Sequence, residues 1–395
     1  MRILAIDIGT GTQDILLFDT ETEVENCLQM VMPSPTVLVA RQIRDATARG
    51  QDVLLTGTIM GGGPSSWAAD EHLRAGCRVF ATPSAAKSFN DDLEQVAKSG
   101  IKIVSDDEAA WLQSVRRIVM RDVDLDALRR AFTSFGVDLE FDALAIAVFD
   151  HGNAPPGYSD RLFRFEFLAE RLKARNNPVA FAFMREQIPP RLTRMQAAAE
   201  TVGATLPGRP TQTLRGRPTQ DNHPSTSLRA GTGLPLLVMD TAPAAILGAL
   251  EDDRVRVHRT AIIANVGNFH TLAFRFSDGI ITGVFEHHTG ELKPEQLDKF
   301  IQQLADGTLT HDAVFNSQGH GALLLDHHAI PLDFLAIVGP RRGMLLRSRY
   351  HPYFATPYGD MMLAGCYGLV RVYAELNSDA APEINRALDA ARQIV

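Results

Sequence analysis

The sequence has only three cysteines, and Cys27, Cys77 and Cys366 stand far apart. It contains no CxxC pair and no CxxxCxxC run, which excludes a zinc ribbon and a contiguous iron–sulfur motif. Isolated thiols are typical of a reducing compartment. No run approaches the ~20 apolar residues of a membrane span, and the first residues lack the basic and apolar stretches of a signal peptide. We therefore expect a cytoplasmic protein without a membrane partner.

Excess positive charge is also missing. The sequence has 39 Lys and Arg against 47 Asp and Glu, a formal net charge of −8. It has only 6 Tyr and 2 Trp, and no stretch that interleaves aromatic with basic residues. Nucleic acid is therefore not an expected partner. The 395 residues predict two domains, at roughly 100–200 residues per domain.

Apolar strands alternate with helical segments along most of the chain. In the first third RILAIDI, DILLFD, DVLLTGT, CRVFAT and IKIVSD are strand candidates, separated by helical stretches such as TVLVARQIRDATARG and SSWAADEHLRAG. Such runs predict a mostly parallel sheet covered on both faces. The pattern breaks at residues 207–233, which are rich in Pro, Gly and Arg and contain GRPTQ twice. We interpret them as a disordered or loosely held insertion.

The order of the segments resembles the actin, heat-shock chaperone and sugar-kinase superfamily. The hairpin AIDIGTGTQD opens the chain, the small-residue helix TAPAAILGAL follows, and the hairpin IIANVGNFHTLAF opens the second half. The turn AIVGPRRGM and the helix LAGCYGLV come last. The resemblance implies an α/β fold of two actin-like (ribonuclease H-like) lobes around a central cleft. The first lobe would span residues 1–252 and the second 253–395, with the last helices bridging back.

More narrowly, the chain resembles a family labelled pyruvate formate-lyase-activating-enzyme-like. The stretches that carry this match are MGGGP, FDHGNAPPGYSDRLFRFE, FEHHTGEL, VGPRRG and GDMMLAGCYGLV. MGGGP precedes a helix and is either an anion-binding loop or a flexible connection. It lacks the Lys of a Walker A motif.

The superfamily resemblance implies ATP and Mg²⁺ as cofactors. Asp7 would hold Mg²⁺ through water and take part in catalysis, since that ion keeps part of its hydration shell. The backbone of Gly9, Thr10, Gly11 and Thr12 would surround the phosphates as an anion nest. The alternative is a tight hairpin whose Thr hydroxyls bond their own turn. The remaining binding residues would be those of the second hairpin and the late turn: Gly267, Asn268, Gly339, Arg341, Arg342 and Gly343.

Two residues depart from the superfamily pattern. Asp14 stands where many relatives carry Lys, Ser or a neutral polar residue, and a carboxylate there would repel phosphate unless it faces away or holds the metal. Asn265 stands where the second hairpin normally begins with Asp, and bulky Phe269 follows, which places hydrolysis in doubt. Asp240 is a candidate replacement acid or a helix N-cap.

Nine of the twelve histidines lie between His258 and His351. With Asp150-His151, three groups could converge as metal ligands or acid/base residues: Glu286-His287-His288, His320 and Asp326-His327-His328. Glu286 and His287 are the candidate catalytic pair. No spacing such as HExxH fixes a metal, and adjacent histidines of a strand point to opposite faces.

The favoured hypothesis is a protein that binds ATP or another phosphorylated ligand and acts as a phosphotransferase or an accessory ATPase. A second hypothesis is an actin-like fold without ATP hydrolysis that uses the His/Glu cluster for metal binding or hydrolysis. A third is a non-catalytic activation partner of another protein.

Overall fold

A computed structural model of the protein describes residues 1–205 and 233–390. The insertion predicted at 207–233 lies, apart from Gly233, outside these described residues. No helix in the described ranges combines the length and the apolar character needed to cross a bilayer.

The strands of the described chain are β1 (Arg2–Ile8), β2 (Thr12–Asp19), β3 (Leu28–Pro33), β4 (Val53–Gly57), β5 (Val79–Ala81), β6 (Lys102–Ile103), β7 (Arg116–Met120), β8 (Ala143–Val148), β9 (Ala182–Met184), β10 (Leu236–Asp240), β11 (Ala261–Val266), β12 (His270–Ser277), β13 (Ile280–His288), β14 (Gly319–Leu324), β15 (Leu335–Val338) and β16 (Tyr353–Phe354). The α-helices are α1 (Pro35–Ala48), α2 (Pro64–Arg74), α3 (Pro83–Ala86), α4 (Leu93–Lys98), α5 (Asp106–Trp111), α6 (Leu125–Ser134), α7 (Asp160–Ala174), α8 (Thr193–Thr205), α9 (Thr241–Ala249), α10 (Asp253–Arg256), α11 (Pro294–Ala305), α12 (His311–Phe315), α13 (Ala364–Leu376) and α14 (Ala381–Ala390).

Two six-stranded sheets of the described chain share one strand pattern. The first sheet has the order β3-β2-β1-β8-β10-β9 and the second has the order β14-β13-β12-β11-β15-β16. In each, three consecutive strands form an antiparallel meander whose first strand also pairs in parallel with a later strand. The inner strands β1, β8, β10, β11 and β15 are apolar and buried because both faces of each sheet are covered.

A third sheet, with the order β6-β5-β4-β7, is parallel throughout and packs against α1 and α2. The sequence placed these strands with β1 and β2 in a single sheet, and the structure corrects that prediction. Because β1 already pairs with β2 on one edge and with β8 on the other, it offers no edge to β4. The α/β class itself is confirmed.

The helices α9 and α13 cross one another within a core that also contains side chains of both six-stranded sheets. Small residues permit this crossing, because a Cβ on Gly248 would collide with the Ala364 carbonyl and one on Gly368 with the Ala244 carbonyl. The predicted small-residue helices therefore form the joint between the two sheets.

Candidate functional site

A cavity of about 420 Å³ lies between the two six-stranded sheets and the loops of the third sheet. Three tight segments line it. The first hairpin tip (residues 9–12) joins β1 to β2, the second hairpin tip (residues 267–270) joins β11 to β12, and the glycine loop (residues 61–63) precedes α2. The three segments come from the three sheets.

The two hairpin tips have the same backbone geometry. In the first tip the Gly9 N–H donates to the Thr12 carbonyl at 2.9 Å, and in the second the Gly267 N–H donates to the His270 carbonyl at 2.9 Å. The two middle amides of each tip have no hydrogen-bond partner among the described residues. The tips thus offer two pairs of consecutive free donors, the arrangement that an anion requires.

The three segments touch one another. A Cβ on Gly11 would lie 2.6 Å from Asn268 Nδ2 in the opposite tip. A Cβ on Gly63, whose φ is 68°, would lie 3.3 Å from the Phe269 ring and 3.4 Å from Thr10. Glycine is needed at these contacts because a side chain would separate the tips.

Asp7 and Asp14 form a cross-strand pair at the floor of the cavity, and both are buried. Asp7 accepts a hydrogen bond from the Thr241 hydroxyl at 2.6 Å, whereas Asp14 Oδ1 has no partner in the described chain. Burial raises the pKa of Asp7 to about 7, and burial together with the Asp7 charge raises the pKa of Asp14 to about 8. The pair therefore disfavours carrying two negative charges without a counterion.

A histidine cluster adjoins the cavity, with His151, His270 and His288 in the lining and the fully buried His320 outside it. His151 follows β8, His270 begins β12 and His320 lies in β14, yet one ring nitrogen from each lies within 4.8 Å of the others. His288, the cross-strand partner of His270, has its ring centroid 4.5 Å from that of His320. A register shift in the β13–β14 pairing at Glu286/His287 leaves His320 outside the regular ladder.

The imidazoles of this cluster are held neutral. Burial lowers the pKa of all four histidines, and the nearby Arg164 charge lowers that of His151 further, to about 3. The His270 ring also stacks on Phe149 with a centroid separation of 3.9 Å.

Arg164, on α7, organises the buried charges beside the cluster. It donates to Glu286 at 2.9 and 3.1 Å, to the Asp240 carboxylate, and to the Asp150 carbonyl at 3.2 Å. Burial alone would lower the pKa of Arg164, but Asp240 and Glu286 outweigh it and raise that pKa. The charged arginine is thus matched by two carboxylates in an environment that tolerates few unpaired ions.

Two further cations line the cavity. Arg194 pairs with Asp122 through two contacts of 2.7 and 2.9 Å and donates to the Phe149 carbonyl at 2.6 Å. Lys87 is half-buried and has no hydrogen-bond or ion-pair partner among the described residues. Lys87 is therefore the lining cation that remains available to a ligand.

Residues 60–344 match the model of a protein family described as "Putative pyruvate format-lyase activating enzyme (DUF1786)". The chain belongs to this family. No curated protein matches the chain. Similar solved structures include the crystal structure of an exopolyphosphatase-like protein, 10% identical, with 99% of this chain and 91% of that chain covered at a TM-score of 0.27. That TM-score is too low to establish a common fold.

In this DUF1786 protein, only some of the site residues predicted from the sequence line the cavity. The predicted residues that line it are Asp7, Gly9, Thr10, Thr12, Gly267, Asn268 and Gly339. Those outside its lining are Gly11, Asp240, Glu286, His287, Arg341, Arg342 and Gly343. Asp240 caps α9 and, like Glu286, pairs with Arg164, so neither is a free acid.

His287 lies away from the cavity, and so do Arg341, Arg342 and Gly343 of the late turn, although Gly339 at the start of that turn lines it. His287 points to the other face of β13, where Nε2 lies 3.1 Å from the Ser317 hydroxyl. Arg341 is exposed, and Arg342 donates back to the Gly339 carbonyl at 3.3 Å.

Sequence reasoning missed three residues of the site: Lys87, Arg164 and Arg194. Arg164 lies in the quoted stretch FDHGNAPPGYSDRLFRFE, and its presence in that family-matching stretch was the available signal.

Proposed function

We propose that this protein binds a nucleotide such as ATP, or another phosphorylated small molecule, between two actin-like lobes. One observation carries the proposal: two hairpin tips closed by the same hydrogen bond, each joining the first two strands of a meander that leads into parallel strands, face one another across one cavity. The repeated meander followed by parallel strands is the arrangement that the resemblance to the actin-like superfamily implies. The free amides of both tips are the phosphate donors.

The cavity charge favours a ligand that brings both phosphate and a metal ion. Lys87 supplies a cation for the phosphate. Asp7 and Asp14 supply oxygen ligands, and the unpartnered Asp14 Oδ1 fits a hard dication, so these two residues would hold Mg²⁺. Bound Mg²⁺ would neutralise the carboxylates and join them to the phosphate. Asp14, which departs from the superfamily pattern, is then a metal ligand and does not repel the phosphate.

The proposal is one of binding coupled to closure of the lobes, with the protein acting as a phosphotransferase or an accessory ATPase. The second hairpin begins with Asn265, which cannot act as a general base, so Asp7 is the candidate acid for any turnover. The alternative in which Glu286 and His287 catalyse hydrolysis has less support, because Arg164 and Ser317 engage those two side chains away from the cavity.

Thermal denaturation with a panel of nucleoside triphosphates, diphosphates and inorganic polyphosphate, with and without Mg²⁺, tests the proposal. A bound ligand at 100 times its Kd stabilises a protein by about 2.7 kcal/mol, which shifts the melting temperature measurably. Lys87→Gln should weaken binding about tenfold because it removes the free cation. Lys98→Gln, on exposed α4 and outside the cavity lining, is the matched control.

The proposal fails if no phosphorylated ligand stabilises the wild type at any Mg²⁺ concentration. It also fails if Lys87→Gln and Lys98→Gln bind the ligand equally well.

A further inference from the structure

The histidine cluster has more unsatisfied hydrogen-bonding capacity than the fold requires. His270 Nε2 and both ring nitrogens of His320 are buried without a partner among the described residues, and His320 is fully buried. A polar atom that is buried without a partner destabilises the folded state. These atoms point to a ligand that binds the His270 nitrogen and one nitrogen of His320 together.

The chemistry of the cluster selects a metal ion over an anion or a water network. Imidazole nitrogens that lack a hydrogen-bond partner and lie close together are good ligands for borderline dications. Thiols are absent from the cluster, which contains nitrogen donors alone. Mg²⁺ and Ca²⁺ prefer oxygen, so the ion belongs to the zinc, cobalt, nickel and ferrous class.

Carboxyl groups offset the two guanidinium groups that lie near the cluster. Four carboxyl groups accompany those two groups in the buried network: Asp122, Asp150, Asp240 and Glu286 with Arg164 and Arg194. Each guanidinium is paired with a carboxylate, and more carboxyl groups than cations are present. A dication in the cluster therefore adds no unmatched positive charge.

Supporting contacts fix the segment that presents His151. Arg164 and Arg194 bind the backbone carbonyls of Asp150 and Phe149, the two residues that precede His151. Such outer contacts orient metal ligands before the ion binds.

We propose that His151, His270 and His320 bind one transition-metal dication, with its remaining coordination directed into the cavity. Metal–nitrogen distances of about 2.1 Å require ligand nitrogens about 3.4 Å apart in a tetrahedral site, so separations of up to 4.8 Å close by side-chain rotation. Three histidines and an open position form the ligand set of a catalytic metal, not of a closed structural one. The site stands without the proposed nucleotide, although the second hairpin tip contributes His270 to it.

The test uses the full-length chain, stripped with EDTA and free of nucleotide. Titration with Zn²⁺ or Co²⁺ should give one ion per chain by calorimetry and by elemental analysis, and Co²⁺ should produce the visible absorption of a nitrogen-ligated site. Mg²⁺ should not compete. His151→Ala and His320→Ala should each weaken binding about 100-fold or more, because each removes a ligand.

His287→Ala is the matched control, since this neighbouring histidine of β13 faces away from the cluster and should leave metal affinity unchanged. Circular dichroism of the metal-free variants verifies folding, and His151→Asn and His320→Asn replace any alanine variant that does not fold. The proposal is overturned if the folded wild type takes up neither ion stoichiometrically. It is equally overturned if the His151 and His320 variants bind as tightly as His287→Ala.

Discussion

At the scale of single residues, the Asp7–Asp14 pair of the site destabilises the folded state when its carboxyl groups ionise. Both carboxyl groups are buried, and Asp14 Oδ1 has no partner in the described chain. Their pKa values of about 7 and about 8 lie well above the ordinary value of about 3.9. A group that binds its proton more tightly in the folded state destabilises that state as it ionises.

The pair therefore makes stability depend on pH in a defined direction. Below about pH 4 Asp14 is protonated in both states and its effect is nil. As pH rises from there through about 8, the unfolded chain loses its proton first, so the free energy of unfolding falls. The slope for one proton is at most about 1.4 kcal/mol per pH unit.

We expect Asp14→Asn to remove this part of the slope, because an amide does not titrate. Urea unfolding in EDTA at several pH values between 5 and 9 should show an advantage over wild type that grows with pH. Asp70→Asn, on the exposed side of α2, is the control and should run parallel to wild type. Parallel curves for Asp14→Asn and wild type would contradict a raised pKa for the buried Asp14 carboxyl group.

The sequence predicted some site residues and not others for a physical reason. Asp7 and the first hairpin tip were found because strand, acid and glycines are adjacent in sequence. The convergence of His151 with His270 and His320 depends on strand register and on the shift at Glu286/His287, which no local pattern reports. The sequence indicated His287 as a candidate, whereas His288 is the one that lies on the face of β13 that meets the cavity. Only the tertiary structure shows which face that is.

At the scale of elements, the crossing of α9 and α13 depends on glycine. Glycine in a helix interior usually costs about 0.5–1 kcal/mol relative to alanine. At position 368 glycine is nevertheless favoured, because a Cβ there would collide with the Ala244 carbonyl. That carbonyl belongs to the backbone, so no side-chain rotation can relieve the collision. The small-residue pattern of both helices was visible in the sequence, and it predicted helices that approach closely.

Gly368→Ala should lower the free energy of unfolding by about 1–3 kcal/mol, the usual range for overpacking. The matched control is Gly203→Ala in α8, where the added Cβ meets only the end of the Arg185 side chain, 2.7 Å away. That side chain can move, so Gly203→Ala should be neutral or stabilising. Equal effects of the two substitutions in chemical denaturation would show that the α9–α13 contact is looser than the structure indicates.

The pairing of strands also explains why the sequence wrongly placed the third sheet together with β1 and β2. The strands β4 to β7 have the apolar runs of a parallel sheet, and the sequence gives their type but not their partners. Strand β1 pairs on both edges, so β4 to β7 must form a sheet of their own. One of the partners of β1 is β8, more than 120 residues away in the chain.

At the scale of the whole molecule, the three thiols lie in different parts of the structure. Cys27 directly precedes β3 of the first sheet, Cys77 lies near β5 of the third sheet, and Cys366 lies in α13. Burial raises the pKa of Cys27 and of Cys366, and the Cys366 thiol donates to the Asp14 carbonyl at 3.1 Å. Buried thiols with raised pKa values are poor sources of the thiolates that a cluster needs.

The family description suggests a radical-generating activating enzyme. The positions of the three thiols argue against that activity. Such an enzyme needs three thiolates on one iron–sulfur cluster, and Cys27, Cys77 and Cys366 have neither the spacing nor a common location. We predict that protein purified without oxygen contains no acid-labile sulfide and cleaves no S-adenosylmethionine. Sulfide is the decisive measurement, because ferrous ion at the histidine cluster would register as iron but contribute no sulfide. A reconstituted cluster that cleaves S-adenosylmethionine, and loses this activity in Cys366→Ser, would contradict the prediction.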